Sequence, residues 1–468
     1  IIATIDVNMQ DMAQRALEKQ LIISNADNGC VILMEVETGE VRAIANFTRD
    51  GEGVYREKFN YAIAQGADPG STFKVASYLV ALDDNKVDTN TVIDIGNGTW
   101  KVPGHTIRDS HPPKKSKVTI KEAFEESSNV GVAKTIGNAY GKNPEKFTGK
   151  LHEWGMAKPL GLQIPGEANP WVKMPDSRSW SKLSLVQMAY GYELKLTPLQ
   201  TLTLYNAVAN DGKMLAPLFV KEIQHLGSTV KKFEARVINK QIASKEAIGK
   251  MQKMMEGVMV EGTGKKLKSP LYSSAGKTGT AQMADGARGY GARRYQSSFA
   301  GYFPAENPKY SMIVVIRNPR NGYYGGSVAG PVFRELADMV FANDLSLHKT
   351  FNNRKVNVAG NKVPYTLKGS KDATAKVYEM LGVQAVNWNS IVAADKDSAN
   401  HSAGAFTVAE FKEGVVPNVK GMGLVDAIYA MENAGFKTTV RGKGRVINQS
   451  LVAGQKLKPG THVLIELN

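Results

Sequence analysis

The chain has 468 residues, 42% of them hydrophobic, and a formal net charge of +15, which allows a large core and roughly two to four domains. Its single cysteine excludes an intrachain disulfide framework or a cysteine-rich metal site, and its seven histidines lack ligand spacing such as H-E-x-x-H, so no metal is expected. The basic balance reads either as attraction to an anionic partner or as a solvated surface, but no zinc-finger or RNP-like motif points to nucleic acid, and no apolar run approaches the roughly 18 residues of a spanning helix.

The chain starts at Ile1 without a methionine or a signal-like segment, which reads as a processed or engineered fragment. Met9 to Leu21 has apolar residues at helical spacing and predicts an opening helix. Cys30 to Val36, the Thr38-Gly39-Glu40 turn and Val41 to Ala45 predict a β-hairpin with Cys30 buried in a structural role. Pro69-Gly70 is a breaker pair, after which Ser71 to Leu82 predicts a helix burying Phe73, Val75, Ala76, Leu79 and Val80. Ile120 to Tyr140 predicts a second helical region, interrupted near Ser127-Ser128-Asn129. Leu185 to Ala209 predicts a third, in which Pro198 starts a separate helix before the Gly212-Lys213 turn. Gln296 to Tyr302 and Tyr310 to Ile316 read as strands, and Pro331 to Ala342 as a closing helix with Pro in its first turn. The sheet is thus expected to be assembled from both ends of the domain, with helices filling the middle.

Residues 343–362 are polar and irregular and mark a domain boundary. An internal repeat follows. Val363-Pro364, Asp372-Ala373 and Leu381-Gly382 recur as Val416-Pro417, Asp426-Ala427 and Ala434-Gly435, with equal Pro-to-Gly intervals. Each copy predicts a turn, a helix and strands; chance similarity of two short α/β units is the alternative.

Three motifs carry chemistry. Ser71-Thr72-Phe73-Lys74 places Ser71 and Lys74 three apart, on one helical face. A serine hydroxyl is a weak nucleophile until a neighbour takes its proton. A lysine can do so only where burial or nearby positive charge lowers its pKa. Alone, the pattern is common and mostly a solvent face. In Ser127-Ser128-Asn129, Ser127 suits a proton relay from Lys74 to a leaving amine, and Asn129 suits hydrogen bonds to Lys74 and a substrate amide. Alone, this tripeptide reads as a polar kink between helices.

Lys277-Thr278-Gly279-Thr280 predicts a small-residue edge strand beside an open cleft. Lys277 and Thr278 suit a substrate carboxylate, and Gly279 removes a side chain where the substrate lies against the strand. The Thr280 amide suits an oxyanion hole shared with the Ser71 amide. The rival is phosphate binding, since Gly262-Thr263-Gly264-Lys265-Lys266 and Gly276-Lys277-Thr278 superficially resemble P-loops. Neither completes G-x-x-x-x-G-K-[ST] or follows a convincing apolar strand.

In this order the three motifs match the S-x-x-K, S-D-N and K-T-G set of penicillin-binding proteins and class A β-lactamases, with Ser128 where that set has Asp. Further signatures are Thr4-Ile5-Asp6, Pro69-Gly70 before Ser71, Leu160-Gly161 to Gly166-Glu167, Gly191-Tyr192-Glu193-Leu194 running into Leu196-Thr197-Pro198-Leu199-Gln200, and Ala209-Asn210-Asp211-Gly212-Lys213. With these the chain resembles a class B penicillin-binding protein, a monofunctional peptidoglycan D,D-transpeptidase. The Leu196–Gln200 block is typical of that class, and no segment resembles a glycosyltransferase domain. Residues 416–468 resemble a PASTA domain through Val416-Pro417-Asn418-Val419, Gly435-Phe436, Gln449-Ser450, Gly454 and Gly460.

The resemblance implies an α+β fold (an α/β/α sandwich): a penicillin-binding-protein/serine β-lactamase-like transpeptidase domain with a central antiparallel sheet flanked by helices, plus small α+β PASTA domains. The expected boundaries are 1–345 for the transpeptidase domain, 346–362 for a linker, 363–412 for a degenerate PASTA-like copy and 416–468 for the PASTA domain. It implies catalytic roles for Ser71, Lys74, Ser127, Asn129 and Lys277, and substrate-binding or oxyanion roles for Thr278, Gly279 and Thr280. No metal or organic cofactor is implied. Expected partners are peptidoglycan stem peptides, β-lactam antibiotics and cell-wall synthesis or division proteins. A β-lactam sensor, a D,D-carboxypeptidase or a β-lactamase of the same fold are the alternatives. Family members carry a membrane helix and pedestal ahead of the catalytic domain, which implies anchoring in the cytoplasmic membrane with catalysis outside the cytoplasm; PASTA units imply the division-type branch.

Overall fold

The computed structural model describes residues 1–283, 294–348 and 411–468, with 376–377 and 379–380 between them. The chain divides into two compact units, Ile1–His348 and Lys349–Asn468.

The first helix of the first unit is α1 (Val7–Ser24), whose N-terminus is capped by Asp6 accepting from the Met9 amide. Next come β1 (Asn28–Glu35), β2 (Val41–Arg49) and the short β3 (Tyr55–Arg56). A 3-10 turn, Gly70–Phe73, leads directly into α2 (Lys74–Asp83). The expected single helix from Ser71 therefore starts as a tighter turn, a common form at helix N-termini. The hairpin β4 (Thr99–Val102) and β5 (His105–Arg108) precedes α3 (Ile120–Glu125) and α4 (Asn129–Tyr140). The helical region is interrupted where expected, at Ser127, whose φ is +58°.

The third helical region also divides. Ser184–Ala189 is helical, but the chain turns at Gly191 and pairs Leu194–Lys195 with Trp171–Val172 before α5 (Pro198–Ala209). Pro198 sits in the first turn of α5, and Thr197 with Gln200 forms a capping box. That gives the Leu196–Gln200 block a local physical cause. A further helix, α6 (Lys245–Val260), buries Ile248, Met251, Met254, Met255 and Val258 on one face. Strands β6 (Ala275–Gln282), β7 (Tyr295–Phe303) and β8 (Tyr310–Arg317) and then α7 (Gly330–Asn343) complete the unit.

The main sheet has six strands in the order β6-β7-β8-β1-β2-β3, all antiparallel. It is built from both ends of the unit, as expected. Side chains alternate across a sheet. One face, including Ile32 and Val315, packs on the helical middle. The other, including Val31 and Val314, packs on α1 and α7 through Leu17, Leu21, Leu336 and Val340. Both faces are thus covered, which makes the α/β/α sandwich. Cys30 lies inside it, 1% exposed, and burial pushes its thiol up to about 12.

In the second unit, α8 (Leu424–Asn433) packs on a sheet ordered β9 (Lys437–Arg441), β11 (His462–Leu467), β10 (Val446–Gln449). Gln449 explains its place in the motif. Its Oε1 accepts from the Val419 amide at 2.9 Å, and its Nε2 donates to the Pro417 and Leu451 carbonyls at 3.1 and 2.8 Å. One nearly buried side chain thereby ties the Val416–Val419 segment to β10. The expected degenerate copy at 363–412 lies almost wholly outside the described residues.

Candidate active site

The turn carrying Ser71 is fixed from three directions. Gly70, at φ +59°, donates its amide to the Gly191 carbonyl at 3.0 Å. A Cβ on Gly191 would overlap the Gly70 carbonyl, so two glycines permit this approach. Tyr205 on α5 donates its hydroxyl to the Thr72 carbonyl at 2.8 Å, and Ser77 donates to the Ala189 carbonyl at 2.8 Å. Strand β6 covers the third side.

Lys74 is wholly buried at the start of α2. Its Nζ donates to the Ser127 carbonyl at 2.6 Å, to Ser127 Oγ at 3.2 Å and to Asn129 Oδ1 at 2.7 Å. Burial lowers its pKa to about 7, and the charge of Asp109 opposes that shift. Ser127 presents both oxygens to Lys74 because it occupies the left-handed region, which a non-glycine residue seldom adopts and which concentrates at functional sites. Among the described residues Ser71 Oγ makes no hydrogen bond to Lys74; the ammonium is turned toward the Ser127–Asn129 segment instead.

Lys277 is also wholly buried. Its Nζ donates to the Thr278 carbonyl at 3.2 Å and lies 5.6 Å from the centre of the Phe124 ring. Burial, and then the charge of Lys74, holds its pKa well below the ordinary lysine range. The two buried lysines of the first and third motifs thus lie within range of each other's charge. The threonines flanking Gly279 lie on the opposite side of β6. Thr278 Oγ1 is 2.7 Å from Thr263 Oγ1, and Thr280 Oγ1 accepts from the Gly325 amide at 3.0 Å. The Gly262–Lys266 segment, a P-loop rival in sequence, thus places its threonine hydroxyl beside the third motif.

Gly279 also carries a packing constraint. A Cβ there would overlap Ser298 Oγ and come within 2.9 Å of Thr72 Cγ2. Close packing of β6 and β7 against the Ser71 turn is therefore a constraint on this glycine in its own right.

Asp109, Thr263 and Tyr205 escaped the sequence reading. Asp109 stands alone in a polar loop, and its bonds to Ser128 and Val130 cross from a separate hairpin. Only Thr263 had a signal, its glycine flanks. Among the described residues no group of three or more His, Cys, Asp or Glu is placed to hold a metal ion.

The arrangement provides a hydroxyl on a rigid turn, a buried amine with a lowered pKa one helical turn away, and a strand edge lined by hydroxyls. That is the equipment of serine acyl transfer. Known proteins resemble this chain in sequence and fold. The penicillin binding protein transpeptidase domain matches residues 29–338, and the PASTA domain matches residues 414–468. A probable peptidoglycan D,D-transpeptidase PbpC of Pseudomonas aeruginosa is 31% identical over 340 residues, covering 71% of this chain and 57% of that relative. The peptidoglycan D,D-transpeptidase FtsI of Escherichia coli is 30% identical over 338 residues, covering 70% of this chain and 54% of the relative. The chain thus spans little more than half the length of these two relatives. The transpeptidase domain of Burkholderia pseudomallei penicillin-binding protein 3 superposes with a TM-score of 0.62 at 25% identity, covering 73% of this chain and 96% of that structure. The match to the transpeptidase domain spans most of the first unit, and the second unit holds the PASTA match: the chain belongs to the penicillin-binding protein transpeptidase family and carries a PASTA domain.

Proposed function

We propose that the chain is a serine-type peptidoglycan D,D-transpeptidase. The observation that carries this reading is Lys74, buried, lowered to about 7 and bonded to Ser127 and Asn129 one turn after Ser71. Lys74 in its neutral form takes the Ser71 proton as Oγ attacks the penultimate D-Ala carbonyl of a stem peptide. The Ser71 and Thr280 amides receive the oxyanion. The peptide C–N bond then breaks, and the proton returns through Ser127 to the leaving D-Ala amine. An amine of a neighbouring stem attacks the Ser71 ester, forms the crosslink and restores the Ser71 hydroxyl. Lys277 and Thr278, with Thr263 beside it, bind the substrate carboxylate. β-Lactams acylate the same serine.

Residues 1–345 form the catalytic domain in this reading, 346–362 a linker, 363–412 a degenerate PASTA-like copy and 416–468 the PASTA domain. Among the described residues no helix is long and apolar enough to cross a membrane. The native protein is anchored in the cytoplasmic membrane with this domain outside the cytoplasm, alongside cell-wall synthesis and division proteins.

The test is covalent labelling with a fluorescent penicillin, followed by crosslinking of a defined stem peptide to an acceptor amine. Wild type takes the label and releases D-Ala with crosslinking, and Ser71→Ala does neither. Label retained by Ser71→Ala would overturn the nucleophile assignment. Rapid loss of label from wild type would point to a β-lactamase, and labelling without crosslinking to a sensor or carboxypeptidase.

A further inference from the structure

Asp109 follows strand β5, and its carboxylate binds the second motif at Ser128 and the residue just after it, Val130. Oδ2 accepts from Ser128 Oγ at 2.8 Å, and Oδ1 accepts from the Val130 amide at 2.9 Å. The neighbouring Arg108 carbonyl accepts from Asn129 Nδ2 at 2.8 Å. The segment that cages Lys74 is therefore held from outside by two consecutive residues of one hairpin end. Ser128 is the N-cap of α4, its Oγ accepting from the Gly131 amide at 2.8 Å, so its own proton is directed to Asp109. Negative charge at this helix start is also favoured by the α4 dipole. An aspartate at position 128 would face Asp109 as a like charge. The serine found there instead lets a carboxylate from a different strand end serve the same place.

Resting on the transpeptidase reading, we propose that Asp109 is a positioning residue of the reaction: it holds Ser127–Asn129 against Lys74 and supplies the carboxylate charge that faces the Lys74 ammonium. Among the described residues, other groups around Lys74 do not duplicate that charge. Lys277 approaches from β6 with the opposite sign, and Tyr78 on α2 has its pKa raised by burial, so it is neutral. Among groups from the helices packed on α2, Lys150 pairs with Asp83 at the far end of α2 and Lys250 pairs with Asp88 beyond it. Glu125 on α3 pairs with Lys121.

Two substitutions separate holding from charge. Asp109→Asn keeps an acceptor for the Val130 amide and removes the charge; Asp109→Ala removes both. Penicillin acylation rates are measured across pH for both variants and wild type, with thermal unfolding as a folding check. Loss of the charge destabilises protonated Lys74, so more of it is free base at a given acidic pH. The acidic limb of the Asp109→Asn profile is expected to move to lower pH. Asp109→Ala is expected to lose about tenfold to a hundredfold in plateau rate, as the Ser127–Asn129 segment is displaced. A purely structural aspartate would leave the acidic limb in place. An Asp109→Asn profile coincident with wild type overturns the proposal while leaving the transpeptidase reading intact. Wild-type protein that takes no label overturns both.

Discussion

Gly279→Ala tests how tightly the third motif is seated on the nucleophile turn. The added Cβ would overlap Ser298 Oγ and sit 2.9 Å from Thr72 Cγ2, with the Thr72 amide nitrogen at 3.5 Å. Ser298 is almost fully buried on β7, directly across the ladder from Gly279. The methyl can be accommodated only if β6 moves away from the Ser71 turn or Ser298 rotates. Overpacking of this kind costs about 1–3 kcal/mol. The reduced freedom of the unfolded chain returns about 0.4–1 kcal/mol. The net expectation is a loss of about 1–2 kcal/mol in the first unit, with a matching fall in acylation rate because the Thr280 amide moves with the strand. Ser298→Ala removes the overlapping oxygen, which has no hydrogen-bond partner among the described residues, and should be nearly neutral alone. Combined with Gly279→Ala it should recover about 1 kcal/mol, a coupling typical of residues in contact. Urea unfolding of the four proteins in the cycle, with penicillin acylation rates alongside, measures both effects. Wild-type stability for Gly279→Ala, or strict additivity with Ser298→Ala, would refute the packing argument. Unchanged stability with impaired substrate turnover would leave substrate clearance as the reason for the glycine.

Two predictions concern titration. Lys74 sits near 7 in the folded protein and near 10.4 in an unfolded chain, so between these values the unfolded chain binds the extra proton. Stability therefore rises with pH across that window, by up to about 1.4 kcal/mol per pH unit. Lys74→Met should remove one proton's worth of that slope between about pH 7 and 9, below the range where tyrosines of an unfolded chain ionise. Urea midpoints at stepped pH measure it, and an unaltered slope would refute the depressed lysine. Cys30, buried and raised to about 12, should resist an aromatic disulfide reagent at pH 8 in the native state and titrate as one thiol in denaturant; rapid native reaction would contradict its position in the sheet.

The legible parts of the fold were those with a local cause. Cys30 to Ala45 has two apolar runs around a Thr38-Gly39-Glu40 turn, and it forms the β1–β2 hairpin. Pro198 and Pro331 lie in the first turns of α5 and α7 because proline's missing amide is harmless there. The same reasoning overran at Tyr190–Lys195. An apolar stretch with helical spacing gives way there to a glycine at φ +89° that must meet the Gly70 carbonyl. That contact joins residues far apart in sequence, so periodicity carries no trace of it. Ser71, Lys74, Ser127 and Asn129 were legible because family spacing marks them. Asp109 was not, since a single carboxylate after a short strand becomes meaningful only when β5 is laid beside the start of α4.

Lys74 and Lys277 show why the site has this form. An ammonium group taken out of water is costly unless paired, and here two are wholly buried within range of each other's charge. Neither forms an ion pair among the described residues; Lys74 is held by a carbonyl, a hydroxyl and an amide oxygen. A carboxylate in direct contact would lower the cost, but it would also raise the proton affinity of Lys74 and leave it protonated at neutral pH. Asp109 instead spends its hydrogen bonds on Ser128 and Val130 and reaches Lys74 only through space. The result is a lysine supported well enough to stay in place and poorly enough to give up its proton near pH 7. In the proposed reaction that balance makes Lys74 a base for Ser71, and the stability lost to it below pH 10 is the cost of that function.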